Sequence, residues 1–150
     1  MKKYFSILLF LTVFSLPAQT AAEMDILLET NAVTKVVLAR FVIDAAGLLP
    51  PGLSGEEADN TAFDMAVSEG WLKGAATDTV TLRETAFLVM RSFNFSGGLM
   101  YTLFKSPRYA YREMIYLELI QGRAYPSYQV SGRRLLQIIG RALTHAGENE

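Results

Sequence analysis

The stretch Glu69–Arg91, EGWLKGAATDTVTLRETAFLVMR, decides how this chain folds. An apolar turn carrying Gly70 and Gly74 leads into a short polar loop, and Val80-Thr81 then opens an apolar run. Thr81 and Glu84 stand at capping-box spacing: the hydroxyl accepts from a free N–H three residues on, and the carboxylate reaches back to the Thr81 N–H. Leu82, Ala86, Phe87, Val89, Met90 and Phe93 supply the buried face of the helix that follows. The same order returns at Glu118–Arg141, ELIQGRAYPSYQVSGRRLLQIIGR, with Ser131 as the capping hydroxyl. A partial third copy is Ala32–Leu48, AVTKVVLARFVIDAAGL, capped by Thr34. A unit of this size cannot bury its apolar face alone, so the copies must pack on one another.

Working outward, the helix from Thr34 is apolar nearly all round and therefore central. Gly47 ends it, and Pro50-Pro51-Gly52 blocks its continuation. A second helix is expected from Asp59 or Asn60, with Ala62, Phe63, Ala66, Val67 and Trp71 on one stripe, closing at Gly74. Ser106-Pro107 starts another that runs to Gly122, and Ser131 starts the last, burying Leu135, Leu136, Ile138, Ile139, Ala142 and Leu143. Glu23–Asn31 is short and mixed and receives no assignment. Phe95–Lys105 reads as a loop, with an apolar segment at Gly98–Phe104. The expected fold is all-α, about five helices, with short extended pieces confined to Gly74–Val80 and Gly122–Val130.

The first residues read as an export signal. Lys2 and Lys3 precede the apolar run Tyr4–Leu16, Pro17 breaks it, and Thr20-Ala21-Ala22 offers small residues for cleavage after Ala22. The expected organisation is a signal peptide over 1–22, one helical domain over 23–147, and a tail over 148–150. The chain has no cysteine, which excludes disulfides and a lipid-modified cysteine at the cleavage site. Charge is uneven. From Glu23 to Phe104 there are 5 basic and 11 acidic residues, and from Lys105 to Arg141 there are 7 basic and 2 acidic. Either the basic third meets an anionic polymer or headgroup, or the two regions neutralise each other in the fold.

The alternation of helix, Gly, short loop and hydroxyl-capped helix resembles the S-layer homology family. The carrying residues are Gly70-Trp71-Leu72-Lys73-Gly74 and Glu118-Leu119-Ile120-Gln121-Gly122 for the first element. For the second they are Val80-Thr81-Leu82-Arg83-Glu84, Val130-Ser131-Gly132-Arg133-Arg134 and, more weakly, Val33-Thr34-Lys35-Val36-Val37. The resemblance spans about Ala32 to Leu143 and implies a pseudo-three-fold helical bundle of helix–loop–helix repeats, the first lacking its leading helix. It also implies grooves between repeats that hold cell-wall glycopolymer or peptidoglycan, contacted by an Arg directly after the capping Thr. This chain departs from that pattern, with Lys35, Leu82 and Gly132 after the hydroxyls and Arg83 and Arg133 one position later, about 100° further round the helix.

Catalytic chemistry finds no constellation. His145 is the only histidine and reads as a complement to a helix C-terminus. The carboxylate pairs Asp64/Glu69 and Glu113/Glu118 are five apart and do not share a helix face. No cofactor or metal is expected, and no enzyme. The polymer-binding candidates are Lys35, Arg83, Arg133 and Arg134, with Tyr125 and Tyr128 flanking Pro126 to stack on sugar rings. Arg123 belongs with the same cations, while Trp71 reads as core. The function expected is a non-catalytic, exported module of the periplasm or cell envelope that binds cell-wall polymer. The alternative is an exported structural or adaptor protein that binds another envelope protein, accepting a helix on Gly98–Phe104. No nucleic-acid partner is expected, and membrane contact only if the leader is retained.

Overall fold

Three valines meet at the centre of the molecule. In the computed structural model, which describes residues 16–148, the Val33 N–H donates to the Val130 carbonyl at 2.8 Å. The Val130 N–H donates to Val80 at 3.3 Å, and the Val80 N–H returns to Val33 at 2.9 Å. The three bonds form a closed cycle, and all three side chains are fully buried. Each valine immediately precedes a capping hydroxyl: Thr34, Thr81 or Ser131.

The chain is all-α, with seven helices among the described residues: α1 (Leu16–Glu29), α2 (Lys35–Ala45), α3 (Gly55–Ser68), α4 (Leu82–Ser92), α5 (Leu99–Leu103), α6 (Pro107–Tyr116) and α7 (Gly132–Glu148). Helices α2, α4 and α7 start from the valine cycle. Helix α2 packs on α3, α4 on α6, and α7 on α1. The centre is filled by Leu38, Ile43, Leu82, Leu88, Met90, Met114, Leu135 and Ile138, all with almost no exposure. Burying each such side chain stabilises the fold by about 1.5–3 kcal/mol relative to leaving it in water.

The extended pieces before the helix starts satisfy donors that a helix N-terminus leaves open. The Lys35 and Val36 N–H groups donate to Asp78 and Ala76, those of Leu82 and Arg83 to Tyr128 and Pro126, and that of Gly132 to Thr30. Isolated bridges Thr34↔Thr79 and Thr81↔Gln129 mark the two expected extended segments. Each helix start is thus tied to the segment leading into another.

Several expectations need correction. There are seven helices rather than five, because α1 and α5 were not anticipated. Helix α1 stands before Thr34, where a leading helix was expected to be missing. Its hold on the domain includes Leu27, which is 2 % exposed, and the Thr30 carbonyl. Helix α3 starts at Gly55, after Ser54 and with Glu56 and Glu57 in its first turn. It ends at Ser68, because Gly70 at φ +72° turns the chain before Gly74. Helix α6 ends at Tyr116, where Glu118 takes the same left-handed conformation at φ +57°. The Thr34 hydroxyl makes no capping bond. Val67 and Leu143, expected to be buried, are 42 % and 48 % exposed. The expected charged and apolar leader (residues 2–15) and the final Asn149-Glu150 lie outside the described residues. None of the described helices is long and apolar enough to cross a membrane.

Candidate functional site

The capping box at Thr81 forms as the sequence requires. Glu84 Oε2 accepts from the Thr81 N–H at 2.9 Å and from its hydroxyl at 2.8 Å, while the Glu84 N–H donates to Thr81 Oγ1 at 3.4 Å. The other carboxylate oxygen of Glu84 faces Lys35 Nζ at 3.4 Å. Lys35 is 7 % exposed and also donates to the Lys73 carbonyl at 2.7 Å and to Asp78 at 3.3 Å. Gly74 makes this possible: a Cβ there would sit 2.6 Å from Asp78 Oδ2 and 2.8 Å from Lys35 Nζ. Burial alone would raise the Glu84 pKa, but the Thr81 donors and the Lys35 charge outweigh it and hold the carboxyl below its ordinary range. The Ala75 N–H and Lys35 likewise hold Asp78 down. Lys35 therefore joins two helix starts inside the fold and does not point at a ligand.

Arg83 belongs to the same helix start. It lines a cleft of about 730 Å³ with Lys73, Lys105 and Arg108, over a floor of Trp71 and Phe87. Glu84 is the only acid in this wall, and its charge is already shared with Lys35. Trp71 is half-buried rather than core, with the Arg91 guanidinium 5.9 Å from its ring centroid. Tyr125 and Tyr128 stand beside this cleft through their backbones: the Tyr128 carbonyl receives the Leu82 N–H and the Pro126 carbonyl the Arg83 N–H. Their rings meet edge to face at 4.9 Å, and both are exposed. The Tyr111 hydroxyl donates to the Ala124 carbonyl and fixes the start of that loop.

Arg133 and Arg134 occupy the corresponding positions after Ser131. With Arg123 they line a shallower depression of about 330 Å³ that includes no acid. Arg134 donates to the Gln121 carbonyl at 3.0 Å, and its N–H reaches Ser131 Oγ at 3.4 Å. Backbone N–H groups at this helix start add little to the depression, because those of Gly132 and Arg134 already have acceptors.

Lys73, Lys105 and Arg108 escaped the sequence reading as site residues. The charge count marked the stretch beginning at Lys105 as basic, but only the fold brings it opposite Lys73 and Arg83. The four ion pairs among the described residues involve only Lys35 and Arg40, each with an acid from the first two-thirds of the chain. Among the described residues, then, none joins the basic last third to the acidic part. His145 lies in the last turn of α7, with its ring edge-on to Phe95 at 5.0 Å. Compared with known proteins, the chain matches no family model, no curated protein and no solved structure at a significant level.

Proposed function

We propose that this protein is an exported, non-catalytic module of the cell envelope. In this reading one helix–loop–helix unit is used three times about a pseudo-three-fold axis, and the basic cleft at the second helix start holds an anionic cell-wall glycopolymer or peptidoglycan. The resemblance to S-layer homology repeats supports the arrangement, as does the closed cycle of Val33, Val80 and Val130. Cleavage after Ala22 is compatible with it, since Leu27 of α1 and Thr30 just after that helix, which touch the Gly132 start, lie beyond the cut.

The observation that carries the binding reading is the cleft wall of Lys73, Arg83, Lys105 and Arg108 over Trp71 and Phe87. Guanidinium forks match carboxylate or phosphate groups, and an aromatic floor suits the apolar face of a sugar ring. Arg133, Arg134 and Arg123 form a second, weaker contact, and Tyr125 and Tyr128 extend the first along the polymer. Sedimentation with purified sacculi at two salt concentrations tests this. Added salt should weaken pelleting, because exposed cations are screened. Arg83→Ala combined with Arg108→Ala should abolish it. Pelleting that ignores both salt and these substitutions would remove the proposal.

A further inference from the structure

The connection between α4 and α6 is longer than the one between α2 and α3, and the extra residues form α5. This insertion contributes little to the core. Tyr101 is its one buried side chain, while Leu99, Met100 and Leu103 on α5 and Phe104 after it are 73 %, 44 %, 63 % and 56 % exposed. Leu99, Met100 and Leu103 fall at helical spacing on one side, and the Phe104 ring rests near Tyr109 with centroids 6.1 Å apart. A contiguous apolar tip that adds so little packing marks an interaction surface. The adjoining charge selects its occupant. Lys105 follows Phe104 directly and, with Arg108, forms one wall of the basic cleft. From Thr85 to Arg112 the chain carries Arg91, Lys105, Arg108 and Arg112 and no acid; Glu113 stands beside Gly98, and Glu84, paired with Lys35, shares the cleft wall with Lys105 and Arg108.

We propose that α5 is a peripheral membrane-docking tip: Leu99, Met100, Leu103 and Phe104 enter the interface of an anionic lipid surface while Lys105 and Arg108 meet its headgroups. Apolar side chains at a helical tip bind the headgroup boundary, and neighbouring cations make the binding selective for anionic lipid. The surface does not depend on the polymer reading, and it places the cleft next to a bilayer. It acts whether or not the leader is present.

The absence of cysteine allows a clean test. An environment-sensitive dye on Thr102→Cys, in the full chain, reports burial of α5 itself even if the leader also binds lipid. A matched dye on Glu57→Cys in α3 is the control. With vesicles of phosphatidylcholine plus phosphatidylglycerol, the Thr102→Cys dye should shift to the blue and become shielded from an aqueous quencher. It should respond weakly to phosphatidylcholine alone, and the Glu57→Cys dye should not respond. Leu103→Ser with Phe104→Ser should lower the apparent affinity roughly tenfold or more. Lys105→Glu with Arg108→Glu should remove the preference for anionic lipid. Because these side chains are exposed, the variants should keep the parent far-ultraviolet circular dichroism. No shift at Thr102→Cys with any vesicle would overturn the proposal, as would equal shifts at both positions. So would a shift that appears only when envelope protein is added, which would assign α5 to a protein partner.

Discussion

The helix starts at Thr81 and Ser131 use one backbone plan and opposite electrostatics. At Thr81 the third residue on is Glu84, which closes the capping box and pairs with the buried Lys35. At Ser131 the same place holds Arg134, which turns to the Gln121 carbonyl, and Arg133 beside it is exposed. The first junction pairs its acid with a buried lysine and leaves Arg83 to the cleft; the second holds only cations, Arg133 facing water and Arg134 on a backbone carbonyl. Equivalent positions therefore serve different ends, and residue type alone does not separate a structural cation from one available to a ligand.

The largest effect should come from Gly132, directly after the Ser131 hydroxyl. A Cβ on Gly132 would lie 1.7 Å from the Leu27 carbonyl oxygen, so α1 must move to admit it. Gly132→Ala should cost about 3 kcal/mol or more, at the upper end of overpacking effects, read as a lowered urea midpoint. Gly140→Ala in the same helix meets nothing within 4 Å and should stabilise by up to about 1 kcal/mol, raising the midpoint. Equal effects of the two would break the claim that α1 is docked on the start of α7.

Next in size is Lys35→Met, which leaves Asp78 and Glu84 without their shared cation. Losing one partner of a fully buried pair costs about 3–5 kcal/mol, but Asp78 is half-exposed and Glu84 partly so, which discounts the loss to roughly 1–2 kcal/mol. Arg133→Ala should stay within about 0.5 kcal/mol. Reversal of that order would mean that Lys35 is not the internal tie.

Acid should separate the junctions further. Glu84 and Asp78 have folded pKa values below their ordinary 4.5 and 3.8. Their contribution is fully present above those values and is lost as pH falls through the lower folded ones. Stability should drop on acidification below about pH 4.5, and Glu84→Gln should flatten that part of the curve. Asp59 has the opposite sign: burial raises it despite the Arg40 charge, so its ionisation slightly opposes folding as pH rises past 3.8. The smallest contrast is in the caps. Thr81→Ala should cost about 1 kcal/mol, and Ser131→Ala, whose hydroxyl receives only the Arg134 N–H at 3.4 Å, about half that.

Much of the frame was legible because local rules agree with it. The Val-hydroxyl steps, the Thr81–Glu84 box and the chain reversal at Gly47 (φ +68°) follow from residue type and spacing. The start of α3 was also legible, in Ser54 with Glu56 and Glu57, and the apolar stripe further on drew the boundary too late. Helix α1 left no such trace. Among its described side chains it anchors through the buried Leu27, together with a backbone approach at Gly132, which sequence periodicity cannot register. The fate of Lys35 was equally hidden, since Lys73, Asp78 and Glu84 lie 38 to 49 positions away and only the packed units bring them to it. Arg83 and the tyrosine pair were recognised separately; that they share one helix start follows from two backbone hydrogen bonds.

The most direct test of the account is an amide chemical-shift map recorded while soluble cell-wall polymer fragments are titrated into the protein. Shifts should centre on Lys73, Arg83, Lys105 and Arg108, extend to Tyr125–Tyr128, and appear more weakly at Arg123, Arg133 and Arg134, while the Lys35 Nζ environment stays unchanged. A map centred on α1 and α3, or no saturable shift at all, would contradict it.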